Sequence, residues 1–186
     1  VRIATGGGIR LMNTPEQWDI YPVLESRTVD KDGNTISVVL YYERYDFRAT
    51  IKVTGKDKGV TMAVYLDKPV PAELVGKAGM NIEFFPATYF GKTFMMDGKY
   101  DILPKHPAGN TEMRPLEEKV VQIYGEGYSY STFDDRGRDE FLVAHPIATG
   151  KTLVMAPEDK DIRVTFKSDS DINLYDGRNL SSNGTF

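Results

Sequence analysis

Strict alternation of apolar and polar side chains constrains this chain more than any other feature. Ile36, Val38, Leu40 and Tyr42 alternate with Ser37, Val39 and Tyr41. Phe47, Ala49, Ile51 and Val53 alternate with Arg48, Thr50, Lys52 and Thr54, and Val60, Met62, Val64 and Leu66 with Thr61, Ala63, Tyr65 and Asp67. A period of two sends successive side chains to opposite faces of an extended strand, so each run offers one face to a core and a wetter face to solvent. Turn residues separate the runs: Lys31-Asp32-Gly33-Asn34, then Thr54-Gly55-Lys56-Asp57. From residue 20 onward the pattern predicts an antiparallel meander of about four strands. Asp30-Lys31-Asp32-Gly33-Asn34 has the carboxylate spacing of a calcium loop, but such a loop needs Gly sixth and a bidentate Glu twelfth. Here Gly33 is fourth and Tyr41 twelfth, so the segment reads as a hairpin turn.

Aromatic and Met residues concentrate between Gly79 and Gly98, in GMNIEFFPATYFGKTFMMDG. Aromatic side chains bury the most apolar area per residue, which makes this stretch a core nucleus or the lining of a groove. Pro86 and the three glycines rule out a long helix, and the expectation is a strand over Asn81 to Phe85 running into an ordered aromatic loop. Thr5-Gly6-Gly7-Gly8 reads as a flexible loop, because it lacks the Gly-Lys-Ser/Thr ending of a phosphate loop. Thr14-Pro15-Glu16-Gln17 has the form of a helix start, and Tyr21-Pro22 limits that helix to a turn or two near residues 15–19. The segment from Asp97 to Glu118, rich in Pro and poor in alternation, reads as one long connection. Strands resume over Val120 to Tyr124, Tyr128 to Tyr130, Phe141 to Ala144, Thr152 to Met155 and Ile162 to Phe166, with Ile172 and Leu174 closing the series. About nine to eleven strands without a long helix predict an all-β fold, a large antiparallel two-sheet β-sandwich in a single domain over 1–186.

A net charge of −4 without any Lys/Arg block argues against a nucleic-acid partner, whose phosphates demand a basic face. The absence of Cys excludes disulfides and thiolate metal sites. No apolar run approaches the ~18 residues of a membrane-spanning helix. The chain starts at Val1 without a charged leader, and its far end carries turn chemistry before Phe186. Both ends read as those of a fragment of something longer.

Chemistry-bearing residues are densest in Ser131-Thr132-Phe133-Asp134-Asp135-Arg136-Gly137-Arg138-Asp139-Glu140. Carboxylates around Arg136 and Arg138 suit either a salt-bridged turn or hydrogen bonding to sugar hydroxyls. Asp134 and Asp135 are adjacent, and extended neighbours point apart, whereas two acids flanking a glycosidic bond need about 5–10 Å between carboxyls. Trp18 is either a lid over the core or a stacking platform for a glycan. Tyr41, Tyr42, Tyr45, Tyr128 and Tyr130 are further rings able to stack on sugars. Asn110, Asp176, Arg178 and Asn179 form a secondary polar set. His106 and His145 lie far apart, with no helical ligand spacing beside either, so neither residue marks a metal or cofactor site. There is no Gly-x-Ser-x-Gly elbow and no Cys nucleophile.

Several phrases taken together, IRLMNTPEQWDIYPVLESRTVD, VYLDKPVPAELVGKAGMNIEFFPATYFGKTFMMDG, STFDDRGRDEF, PIATGKTLVMAPED and LYDGRNLSSNG, resemble the amino-terminal β region of certain bacterial family-9 glycoside hydrolases (cellulase-like enzymes). The resemblance implies a β-sandwich that precedes an immunoglobulin-like module and a helical catalytic toroid. That toroid's Asp base and Glu acid have no counterpart here, so no catalytic residue carries over. It further implies a secreted or periplasmic parent, a downstream catalytic module of the same polypeptide as partner, and an accessory role. Asp-Lys-Pro and Gly-Met-Asn-Ile-Glu-Phe are also similar to phrases of mutarotase-type supersandwiches. Two alternatives stand beside the accessory reading: an autonomous carbohydrate-binding module, and a small sugar-active enzyme using the Asp134 to Glu140 cluster.

Overall fold

The computed structural model describes residues 3–11, 22–107, 109–115, 123–125, 128–130, 140–180 and 184–186. Its strands are β1 (Ala4–Leu11), β2 (Val23–Asp30), β3 (Thr35–Tyr42), β4 (Phe47–Lys56), β5 (Gly59–Leu66), β6 (Ala78–Phe84) and β7 (Thr93–Met96). They continue as β8 (Lys99–Ile102), β9 (Thr111–Pro115), β10 (Ile123–Gly125), β11 (Tyr128–Tyr130), β12 (Glu140–Ala144), β13 (Ala148–Met155) and β14 (Val164–Leu174). A single α-helical turn, α1 (Pro86–Tyr89), follows β6. The fold is all-β, as the alternation requires. Among the described residues no helix is long and apolar enough to cross a membrane. The chain divides into two compact units, one of Gly8–Asn81 with Glu118–Arg138, the other of Val1–Gly7, Ile82–Glu117 and Asp139–Phe186.

In the first of these units, β2, β3, β4 and β5 form a four-stranded antiparallel meander in sequence order. Its register sets Tyr42 opposite Phe47, Leu40 opposite Ala49 and Val38 opposite Ile51. On the next strand, Ala49 stands opposite Leu66 and Ile51 opposite Val64. Apolar residues of neighbouring strands therefore share one face. The β2–β3 turn is held by the Gly33 N–H, which donates to Asp30 Oδ1 at 2.9 Å, and by Asn34 at φ 47°. The core gathers at one end of the apolar face, around Ile9, Tyr42, Phe47, Ala49 and Leu74. The Tyr42 and Phe47 rings stack at 5.1 Å, and the Tyr42 hydroxyl donates to Ile9 O at 3.1 Å.

The second unit is built on an antiparallel sheet of order β14-β13-β7-β8. Phe94 and Met96 point inward from β7, opposite Met155 and Leu153 of β13, and join Phe84, Tyr89, Leu103, Leu174 and Phe186 in a core. Phe84 meets Tyr89 and Phe166 edge to face, at 5.4 and 5.7 Å between centroids. Tyr89 is wholly buried, yet its hydroxyl donates to Ile162 O at 2.8 Å. Asp97 and Gly98, both at positive φ, close the two-residue β7–β8 turn. The Asp97 carboxylate accepts from the N–H groups of Lys151 and Thr152, where the register of β13 shifts. A Cβ on Gly150 would lie 2.4 Å from Asp97 Oδ2, so only glycine lets the bulge and that carboxylate share the space.

Several local expectations change. The glycine run at Thr5–Gly8 lies in strand β1, which pairs with β6. Pro86 does not merely interrupt: it occupies the first turn of α1, where its missing N–H costs nothing. The supposed long connection from Asp97 to Glu118 contains β8 and β9, the latter paired with β12. Ile162–Phe166 and Ile172–Leu174 are not two strands, because Val164 to Leu174 runs as one. The helix expected near residues 15–19 and the start of the strand at Val120 lie outside the described residues.

Phe47 and Phe94 are nearly inaccessible to solvent, and truncating either leaves a cavity. Phe47→Ala and Phe94→Ala are expected to lower the unfolding free energy by about 3–5 kcal/mol each, whereas exposed Val60→Ala shifts it by less than ~0.5 kcal/mol. Urea denaturation followed by circular dichroism checks both magnitudes.

Candidate functional site

The second face of the meander carries the polar members of each alternating run. Tyr41 of β3 stands opposite Arg48 of β4, and Thr50 of β4 opposite Tyr65 of β5. Towards the β4–β5 turn, Lys52, Thr54, Thr61, Ala63 and Tyr65 line a shallow open depression of about 310 Å³. Tyr65 is 57% exposed, so a ring face is open to solvent among hydroxyls and ammoniums. Such a set can stack on the apolar face of a sugar and hydrogen-bond its rim.

Tyr41 sits differently. The Arg48 guanidinium carbon lies 4.1 Å from its ring centroid, so one face of this ring is already covered by a cation. Arg48 is fixed by a bidentate pair to Glu25, both contacts at 2.8 Å. The Tyr41 hydroxyl donates to Asp46 Oδ1 at 3.1 Å, and Lys68 Nζ reaches Asp46 Oδ2 at 2.8 Å. The hydrogen bond to Asp46 raises the Tyr41 pKa above its ordinary value. The Lys68 ammonium, and then the Tyr41 hydroxyl, hold the Asp46 carboxyl below the usual carboxylate range. Tyr41 is thus part of an ordered charge network, and Tyr65, which the strand alternation put on this same face, is the more open ring.

The remaining candidates separate. Trp18, Asp134, Asp135, Arg136 and Arg138 lie outside the described residues. Tyr128 and Tyr130 occupy β11, opposite Gly125 and Ile123 of β10. Of the Asp134 to Glu140 cluster, Glu140 is placed opposite Pro115 at the start of β12. Tyr42, by contrast, is a core ring.

In the second unit, Asp176, Arg178 and Asn179 of the secondary polar set assemble, whereas the Asn110 amide donates to His145 O and Pro146 O. Asp176 is buried, and its carboxylate takes Arg178 Nε at 2.8 Å and Nη2 at 2.7 Å. Arg178 also donates to Lys105 O at 2.9 Å and Pro104 O at 2.6 Å, with its guanidinium carbon 4.7 Å from the Phe186 ring centroid. The Asn179 side-chain oxygen accepts from the Gly109 N–H at 2.9 Å. Every group of this fork is directed at the protein itself. It pins the end of β14 to the 104–109 segment, which is a structural task. His145 contacts Glu112 at 3.4 Å, while His106 is exposed. Among the described residues no group of three or more His, Cys, Asp or Glu is placed to hold a metal.

Comparison with known proteins finds no matching family model, no matching curated protein and no matching solved structure. The likeness to family-9 glycoside hydrolases therefore rests on the phrases that carry it.

Two outcomes follow from this geometry. Asp46 is expected to titrate below the ordinary Asp value of about 3.9, and Lys68→Met to move it back up, as read by NMR of the carboxyl carbon. Because its folded pKa is depressed, its contribution to stability is present above the unfolded pKa and fades as pH falls through the folded one. Asp176→Asn removes the charge partner of a buried guanidinium and is expected to cost about 3–5 kcal/mol in urea unfolding.

Proposed function

We propose that this chain is a non-catalytic accessory domain of a secreted polysaccharide-degrading glycoside hydrolase, bracing a catalytic module of the same polypeptide. The observation that carries the reading is the bare part of the meander's apolar face. Val29, Ile36, Val60, Met62, Val64 and Leu66 are all exposed, though the strand register gathers them on the side that elsewhere holds a core. Contiguous exposed apolar side chains with polar surroundings mark surfaces that meet another body. The phrase-level likeness to the region preceding family-9 catalytic modules names the class of that body.

A second reading, a carbohydrate-binding module, is favoured by one observation of its own: the open Tyr65 ring beside Lys52, Thr54 and Thr61. The two readings use opposite faces of one sheet, so single substitutions separate them.

Calorimetric titration of the chain with the separately produced catalytic module is expected to show binding. Met62→Glu and Val64→Glu should weaken it at least tenfold, about 1.4 kcal/mol or more, while Tyr65→Ala leaves it unchanged. Cello-oligosaccharide binding lost on Tyr65→Ala, without any module binding, would establish the second reading instead. Turnover of a mixed-linkage glucan by the chain alone, abolished by Asp135→Asn, would overturn both.

A further inference from the structure

The two edges of the meander differ in a way that points to a partner. β2, at one edge, carries Glu25, Arg27 and Asp30, and its pairing is bulged between Leu24 and Ser26. Inward or edge charges and bulges are the usual devices that stop a sheet from adding strands. β5, at the other edge, has the sequence GVTMAVYL, with no charge and no Pro over its length, and its pairing to β4 is unbroken from Gly59 to Leu66. It is long, regular and undefended.

The backbone groups that β5 leaves open can be assigned. Asp67 N–H donates to Arg48 O, so at that position the backbone faces β4. Antiparallel pairs alternate between those that exchange hydrogen bonds and those that do not. Tyr65, Ala63, Thr61 and Gly59 therefore also turn their backbone groups to β4. Val60, Met62, Val64 and Leu66 turn theirs outward, and among the described residues nothing accepts or donates to them.

From this edge we infer that the chain forms a two-fold dimer by antiparallel pairing of β5 with β5 of a second copy. A register centred on Ala63 sets Met62 opposite the partner's Val64 and Val60 opposite the partner's Leu66. Each outward-facing residue then meets an outward-facing residue, so all the open N–H and C=O groups of Val60 to Leu66 are satisfied at once. A slip by one residue would set outward groups against inward ones. The same register sets Lys58 of each copy opposite the partner's Lys68, whose ammonium is already held by Asp46 at 2.8 Å. The product is one sheet across both copies. Its apolar face doubles in width, and on its polar face Tyr65 of each copy lies across from the partner's Thr61. The depression next to Tyr65 thereby continues from one copy into the other.

The test uses the absence of Cys in the natural chain. At the two-fold axis the Ala63 residues form a pair without hydrogen bonds, with Cα atoms about 4.5 Å apart, within the span of about 4.4–6.8 Å that a disulfide bridges. Ala63→Cys is expected to give a covalent dimer on mild oxidation. Ser37→Cys, on the same face but an interior strand, stays monomeric. Sedimentation velocity of the unsubstituted chain should show a dimer that grows with concentration. Val64→Pro should weaken it at least tenfold with an unchanged circular dichroism spectrum, since the lost N–H faces outward and serves no bond to β4. A chain that stays monomeric to ~1 mM, with Ala63→Cys cross-linking no faster than Ser37→Cys, overturns the proposal. The module-binding test above reads charge on the apolar face and this one a backbone N–H at the edge, so each can fail alone.

Discussion

Register of the β3–β4–β5 ladder is the constraint on which the first unit depends. The side-chain period is two, so a slip of one residue would carry Phe47, Ala49 and Ile51 to the side now held by Arg48, Thr50 and Lys52. What fixes the register is local. Asp30, Gly33 and Asn34 shape one turn, and the Asp57-Lys58 loop between Lys56 and Gly59 shapes the next. What makes it worth fixing is the burial of Tyr42, Phe47 and Ala49 against Ile9 and Leu74. The two causes agree, and that agreement separates an apolar face from a polar one across four strands.

The second unit relies on polar pins around an aromatic core. Asp97 closes a tight turn with its backbone and caps the bulge of β13 with its carboxylate. Asp176 and Arg178 tie the end of β14 to the carbonyls of Pro104 and Lys105. The Asp97 carboxylate satisfies backbone N–H groups that the bulge leaves open, while Asp176 holds the guanidinium that satisfies two backbone carbonyls beyond β8. A buried ion pair of this sort contributes little net stability against an apolar replacement. Its value lies in admitting one arrangement of the 104–109 segment. Asp176 and Arg178 are spent on each other and on backbone carbonyls, which is why a polar pair that reads as a site in sequence is not available to a ligand.

Function, on this view, is divided between the faces and the edge of one sheet. The polar face offers an open ring at Tyr65; among the described residues, the apolar face offers side chains without a cover and the β5 edge offers backbone groups without partners. Only the first resembles a ligand site in chemistry. On the readings proposed above the other two are surfaces for protein, and β2 shows that this sheet can defend an edge.

Strand positions in the meander were legible because alternation and turn residues are local signals. The all-β class followed from them, and of the two readings of the aromatic stretch, core or groove lining, Phe84, Tyr89, Phe94 and Met96 take the core. β1, β8 and β9 were not legible. Their residues, glycine-rich or short and exposed, are strands only because other strands supply hydrogen-bond partners, β6 and β12 from far along the chain and β7 across a two-residue turn. The candidate site was half legible: period two already placed Tyr41 and Tyr65 on one face. No sequence rule distinguishes them, however, because Arg48 covers one ring through a contact that exists only across paired strands. The sequence by itself determined which residues alternate and where the chain turns, since both depend on neighbours along the backbone. Tertiary structure alone decided which half of the apolar face found a core, which polar set was consumed as a pin, and which edge stayed open. Those outcomes depend on what other elements cover.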